Sequence, residues 1–143
     1  MKVTDDPIVL QRNYPIPIAE VWETISSLQK MHEWYFTEIP AFEAKVGFKT
    51  QFNIEAPSQD FFHQWEVIEV EEGVKLVYKW TFENIPGAST TTWELMEVLE
   101  GTQLTLTNHV LEDFPDEIPE FTIDSCKGGW DYFLNERLAD YLK

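Results

Sequence analysis

The chain has 143 residues and a formal net charge of -16 at pH 7. Nucleic acids and anionic membrane surfaces attract positively charged proteins, so this charge argues against both kinds of partner. With 43% hydrophobic residues, the length predicts one domain, residues 1–143, that is large enough to bury a core.

Aromatic side chains are unusually frequent, with six Trp and ten Phe. A compact core of this size needs fewer bulky rings, so we expect some of them to line a cavity. The single cysteine, Cys126, lies among apolar residues, which favours a small buried side chain over a reactive thiol. Residues 1–7 are polar and acidic, and no stretch is long enough for a transmembrane helix. These features predict a cytoplasmic protein that does not insert into membranes.

The N-terminal third predicts one strand and two short helices. Residues 8–14 alternate in hydropathy and favour a strand, which the following prolines end. Pro17 suits the first turn of a helix, and apolar residues at helical spacing continue it to about Leu28. A second short helical segment is expected over residues 29–34.

The middle of the chain changes to a period of two, which is typical of half-buried strands. The predicted strands cover residues 48–54, 61–70, 75–82, 90–99 and 103–111. Turns are expected at Glu71–Gly73 and Glu100–Gly101, each with glycine supplying a positive φ, and a longer turn at Asn84–Ala88. Short connections of this kind predict antiparallel neighbours.

The last 25 residues, Pro119 to Lys143, predict the one long helix. Its apolar residues recur at helical spacing and form a single stripe: Ile123, Cys126, Trp130, Phe133, Leu134, Leu138 and Tyr141. The element order therefore predicts an α+β fold in which helices cover one face of a curved antiparallel sheet.

The aromatic residues of the predicted strands share one face of the sheet. If bulky rings keep the last helix from packing closely on this face, a ligand pocket results. Asn108 or His109, near the end of the last strand, would then orient a polar end of the ligand. The predicted ligand-binding residues are Trp65, Tyr78, Trp80, Trp93, Leu95, Leu106, Asn108, His109, Trp130 and Leu134.

Ten acidic residues and no lysine or arginine lie between Trp80 and Cys126. Two interpretations of such a segment are open: a solvated surface that favours solubility, and a docking surface for a basic partner. The docking hypothesis concerns four residues: Glu112, Asp113, Asp116 and Glu117.

No sequence motif indicates catalysis, a cofactor or a metal. The three histidines, His32, His63 and His109, lie in different predicted elements and lack the spacing of metal ligands. A GxSxG nucleophile motif is missing, and Gly128-Gly129 lies within a predicted helix rather than in a phosphate-binding loop.

The order and spacing of several short motifs resemble the helix-grip fold of the START-like, or Bet v 1-like, superfamily. The branch they resemble is related to the C-terminal domain of the activator of Hsp90 ATPase. The matching residues are Pro15, Pro17, Val21, Trp22, Trp34, Gly47, Phe48, Phe52, residues 67–69, 76–80, 92–95, 101–102 and 104–107, Gly129, Trp130, Leu134 and Leu138. One departure is Val46-Gly47, where members of the family often have two glycines.

The resemblance implies a curved sheet that is wrapped around the C-terminal helix. Such families contain ligand binders, co-chaperones and cyclases, so three functions are open. The leading hypothesis is a non-enzymatic protein that binds a lipid or a polycyclic aromatic molecule. The alternatives are an activator of an Hsp90-type chaperone, which would dock through the acidic segment, and an aromatase- or cyclase-like enzyme.

Overall fold

Six antiparallel strands form one curved sheet, and a helix near the C-terminus lies against its concave face. The computed structural model describes residues 1–143. The strands and the first two helices are β1 (Ile8–Tyr14), α1 (Ile18–Ser26), α2 (Leu28–Trp34), β2 (Lys49–Glu55), β3 (Asp60–Glu71), β4 (Lys75–Phe82), β5 (Ile85–Val98) and β6 (Gly101–Glu112).

The strand order across the sheet is β1-β6-β5-β4-β3-β2. Strands β2 to β6 follow one another as hairpins, whereas β1 and β2 lie at opposite edges. The connection between them contains α1 and α2, and α1 contacts β5 and β6. Irregular pairing interrupts the ladders of β3 with β4, β4 with β5 and β5 with β6. Such bulges increase the curvature of a sheet. The predicted α+β, helix-grip architecture is confirmed.

The turn between β4 and β5 is shorter than expected. The sequence predicted a turn over Asn84–Ala88, but β5 already begins at Ile85. Asn84 adopts a φ of 61°, which asparagine tolerates better than most residues. Pro86 and Gly87 lie where the pairing with β4 is irregular, a position that accepts a residue without a backbone donor.

The turn between β5 and β6 also differs from the prediction. Glu100, and not only the glycine after it, has a positive φ, of 69°. Val98 pairs with Gly101, so Leu99 and Glu100 form a two-residue loop. Hairpin geometry therefore imposes the left-handed conformation on a residue whose type does not favour it.

The C-terminal helix begins four residues later than predicted. Pro119–Phe121 form a separate 3-10 turn, and Thr122 caps α3 (Ile123–Asp131) by accepting a hydrogen bond from the Ser125 amide at 3.2 Å. A π-helical segment (Tyr132–Arg137) and α4 (Leu138–Tyr141) complete the helix.

The π-helical segment changes which residues of this helix face the sheet. Trp130, Leu134, Leu138 and Leu142 are buried at a spacing of four residues, whereas Tyr141, which was predicted on the stripe, is 39% exposed. A π-helical turn contains more residues than an α-helical turn. The wider turn keeps residues spaced by four on one face.

Gly87 is a position where the fold requires glycine. Its φ is 119°, and a Cβ there would lie 2.3 Å from Cδ1 of Phe114. We expect Gly87→Ala to lower the free energy of unfolding by about 2 kcal/mol, because it combines backbone strain with a steric clash. Gly73→Ala is the control, since Gly73 has a φ of 82° but open space around it. Urea denaturation checks this; equal losses in both variants would contradict the steric argument.

Candidate functional site

A cavity of about 300 Å³ lies between the C-terminal helix and the concave face of the sheet. Of its 17 lining residues, 12 are hydrophobic. Eight of these carry aromatic rings: Phe36, Phe61, Trp80, Phe82, Phe114, Phe121, Trp130 and Phe133. The other lining residues are Met1, Ile54, Ala56, His63, Ser89, Asn108, Glu120, Cys126 and Gly129. The wall reaches solvent at Gly129, which is exposed.

Three of the ten predicted ligand-binding residues lie on the cavity wall: Trp80, Asn108 and Trp130. Six others are buried in the core beside the cavity and do not line it: Trp65, Tyr78, Trp93, Leu95, Leu106 and Leu134. The sheet face is therefore divided into a filled half and a hollow half.

Tyr35, at the end of α2, fills the half of the concave face that holds these core residues. Its ring stacks on Trp65 with the centroids 5.7 Å apart and meets the ring of Trp93 edge-on at 6.2 Å. Its hydroxyl hydrogen-bonds to that of Tyr78 at 3.0 Å, and the Trp93 indole donates to the Tyr78 oxygen at 3.2 Å. Burial raises the pKa of both tyrosines, so both hydroxyls stay protonated. These polar groups satisfy one another and leave no space for a ligand.

His109 lies on the other side of the sheet. Side chains alternate along β6, so Asn108 and Val110 point to the concave face while His109 is exposed. The expectation that His109 reaches the pocket is corrected by this placement, and Asn108 alone occupies the predicted polar position.

His63 is a cavity residue that the sequence reasoning did not single out. The signal was available, because His63 shares a strand face with Trp65, two residues away. The Trp80 indole donates to His63 Nδ1 at 2.9 Å, and Phe52 stacks on the imidazole with centroids 5.1 Å apart. Burial lowers the pKa of His63 to about 3. The ring is therefore neutral at pH 7, with its proton on Nε2.

Asn108 is the wall residue that carries a fully buried side-chain atom without a hydrogen-bond partner. It is 5% exposed, and its amide oxygen is fully buried without a donor. Thr91, its pairing partner on β5, is also buried with an unpartnered hydroxyl, although it does not line the cavity. An unpaired buried polar group costs about 1–3 kcal/mol, so Asn108 weakens the fold unless something bonds to it.

Cys126 and Glu120 are partly exposed residues of the cavity wall. Burial raises the pKa of the Cys126 thiol to about 11, which keeps it protonated and unreactive at neutral pH. Glu120 accepts hydrogen bonds from the Ser58 amide at 3.1 Å and from its hydroxyl at 2.5 Å. These bonds lower the pKa of Glu120 and link the β2–β3 loop to the turn before α3.

Half of the predicted docking residues already contact the N-terminal segment. Asp113 accepts a hydrogen bond from the Val3 amide at 2.7 Å, and Asp116 pairs with Lys2 at 3.0 Å. Glu112 and Glu117 are exposed and form no ion pair. The acidic segment thus serves in part to hold the first residues of the chain.

No group of three or more His, Cys, Asp or Glu side chains is arranged to hold a metal ion. None of the helices has the length and hydropathy that crossing a bilayer requires.

Comparison with solved structures supports the fold. Mll3558 from Rhizobium loti is 21% identical, with a TM-score of 0.80 and 96% of each chain covered. The Aha1 dimer from Colwellia psychrerythraea is 15% identical, with a TM-score of 0.77 and again 96% of each chain covered. DynU16, a protein in the dynemicin biosynthetic locus, is 26% identical over 96% of this chain, with a TM-score of 0.76. The chain spans 47% of the length of DynU16.

A search of curated proteins with the sequence found no match. The family described as Activator of Hsp90 ATPase homolog 1-like protein matches residues 15–143. This match covers both early helices, strands β2 to β6 and the C-terminal helix, and it confirms the resemblance drawn from the sequence motifs. The chain therefore belongs to the family of Activator of Hsp90 ATPase homolog 1-like proteins.

Proposed function

We propose that this protein binds a small aromatic or apolar molecule in the cavity between the C-terminal helix and the sheet. The observation that carries the proposal is the hollow half of the concave face, where eight aromatic rings surround about 300 Å³. Aromatic rings attract one another edge to face, so such a wall favours a flat aromatic ligand. Preformed apolar clefts with a few polar groups are typical of small-molecule sites.

The volume limits the size of the ligand. Ligand sites usually measure about 300–1,000 Å³, so this cavity is at the small end of the range. A cavity of roughly 150 Å³ lined by apolar side chains holds one benzene ring. Twice that volume suits a molecule of about two fused rings, and it disfavours a long-chain lipid, the other ligand type predicted from the sequence.

A pair of glycine variants tests the proposal. Gly129 lines the cavity and Gly128 does not, and a Cβ at either position meets no atom within 4 Å. We expect Gly129→Leu to weaken the binding of 2-methylnaphthalene at least about tenfold, because the new side chain takes up ligand space. Gly128→Leu makes the same change outside the cavity and should leave binding unchanged.

The measurement is a titration of isotope-labelled protein, followed through the indole N–H resonances of Trp80 and Trp130 in NMR spectra. No chemical shift change in the wild-type protein at the solubility limit of the probe would count against the proposal. So would equal affinities in the two leucine variants.

Chaperone activation is the second candidate, and it is supported by the family description and by the exposed acids Glu112 and Glu117. It has less support than the cavity, since Asp113 and Asp116 already contact the N-terminal segment. Charge reversal of all four acids, with binding to an Hsp90-type chaperone measured at low salt, is the matching test.

An aromatase- or cyclase-like activity is the third candidate. It would need a titratable group that can exchange a proton near pH 7. His63 lies on the wall, but a pKa of about 3 makes it a weak base, and the Cys126 thiol stays protonated. These pKa values favour binding over catalysis. The cytoplasmic location expected from the sequence stays a prediction.

A further inference from the structure

The cavity offers hydrogen bonds but little positive charge. Its polar wall residues on the sheet are His63 on β3, Ser89 on β5 and Asn108 on β6. No lysine or arginine lines it. The cation among the wall residues is the N-terminal ammonium group of Met1, which already donates a hydrogen bond to the Phe121 carbonyl at 2.8 Å, and the carboxylate of Glu120 also lies on the wall. An anionic ligand would therefore enter a negatively charged protein and meet only a cation that already has a partner, so this apolar site favours a neutral ligand.

The polar groups of the wall differ in the hydrogen bonds that they already make within the protein. His63 Nδ1 is occupied by the Trp80 indole, which fixes the imidazole in place. The Asn108 amide oxygen, in contrast, has no hydrogen-bond partner, although the side chain is only 5% exposed. An amide offers one acceptor and two donor hydrogens, so a hydroxyl group can bond to it in either orientation of the amide.

We propose that the ligand is a neutral aromatic molecule whose hydroxyl group hydrogen-bonds to Asn108. This inference rests on the proposed function and narrows it, because it favours neutral ligands over carboxylates, phosphates and ionised lipids. Because Oδ1 of Asn108 is fully buried, the side-chain amide has to turn toward the cavity, and the ligand hydroxyl then provides the partner that the protein itself does not supply. The rings of the ligand then lie against Trp80 and Trp130 on the same wall.

Three probes of similar size separate the contributions of the hydroxyl group, the aromatic rings and a negative charge to binding: 2-naphthol, 2-methylnaphthalene and 2-naphthoate. At pH 7 a phenolic hydroxyl is neutral and an aromatic carboxylate is ionised. We expect wild-type protein to bind 2-naphthol about fivefold to tenfold more tightly than 2-methylnaphthalene, which is the usual contribution of one hydrogen bond. The naphthoate should bind at least about a hundredfold more weakly than the naphthol.

Asn108→Leu should abolish the preference for 2-naphthol and keep the affinity for 2-methylnaphthalene, because leucine has a similar size and no polar atom. Thr91→Val is the matched control. It removes the neighbouring unpartnered hydroxyl, which does not line the cavity, and should keep the preference. Both variants replace an unpaired buried polar group by an apolar one, so both should fold.

The outcomes distinguish the inference from the proposed function. If none of the probes binds, the cavity proposal fails as well. If 2-methylnaphthalene binds but 2-naphthol shows no preference, or if the preference survives in Asn108→Leu, only the role of Asn108 is overturned. If 2-naphthoate binds as tightly as 2-naphthol, the restriction to neutral ligands is wrong.

Discussion

Replacing Leu134 by alanine is expected to lower the free energy of unfolding by about 3–5 kcal/mol. Leu134 lies in the π-helical segment, is 1% exposed and belongs to the core between this helix and the sheet. Its backbone carbonyl also accepts a hydrogen bond from the Tyr14 hydroxyl at 2.7 Å. Truncation leaves a void that the neighbouring rings can fill only by moving, so the cost should lie above that of an average substitution.

The matched control is Leu99→Ala, the same chemical change at a position that is 94% exposed in the β5–β6 turn. It should change the free energy of unfolding by less than about 0.5 kcal/mol. Urea denaturation monitored by tryptophan fluorescence measures both variants. A loss below about 1 kcal/mol for Leu134→Ala would mean that the helix contributes far less to the core than its burial indicates.

Most of the fold could be predicted because strands and helices impose different periods on the sequence. Strand β4, for example, has buried Leu76, Tyr78 and Trp80 at a period of two, and its predicted bounds are confirmed. The turns were less predictable. At Asn84 and Glu100 the hairpin imposes positive φ on residues other than glycine, so the tertiary structure overrides local preference there.

The start of the C-terminal helix shows a similar limit. The helical spacing of the apolar residues predicted one helix over Pro119 to Lys143. The apolar Phe121, however, is buried against Phe61, Phe82 and Phe114, and this packing forms a separate turn before the helix. Only the tertiary contacts distinguish the two arrangements.

The site was less predictable than the fold, for a different reason. Strand alternation correctly placed Trp65, Tyr78, Trp80 and Trp93 on the concave face. It does not show which part of that face another element covers. Tyr35 follows α2, which lies in the long connection between the two edge strands, β1 and β2. The ring of Tyr35 packs against Trp65 and Trp93 and separates the packed core from the cavity.

The phenylalanines of the hollow half illustrate the same point. Phe61, Phe114 and Phe121 form a small cluster with Val110 apart from the main core. Phe114 and Phe121 come from the acidic segment, which the sequence suggested as a solvated surface or a docking surface. Many of their neighbours in the sequence are charged. Hydrophobic periodicity identifies strands and amphipathic helices, but it does not identify isolated apolar residues of a loop as part of a core.

Acid should destabilise this protein through His63 in particular. The pKa of His63 is about 3 in the folded state and near 6.5 when the chain is unfolded. Between these values the unfolded chain binds the proton and the folded protein does not, so stability falls as the pH decreases from about 6.5 towards 3. From pH 7 to pH 5 this one group should remove about 2 kcal/mol of the free energy of unfolding.

His63→Gln isolates this contribution, because glutamine can still accept the hydrogen bond from the Trp80 indole but does not titrate. The carboxylates and the other two histidines are the same in both proteins, so their effects cancel in the comparison. Urea denaturation at pH 7 and pH 5 should show that the wild-type protein loses about 2 kcal/mol more than the variant. Equal losses would mean that His63 takes up its proton at the same pH in the folded and unfolded states, so that burial in the cavity wall does not keep the imidazole neutral in acid.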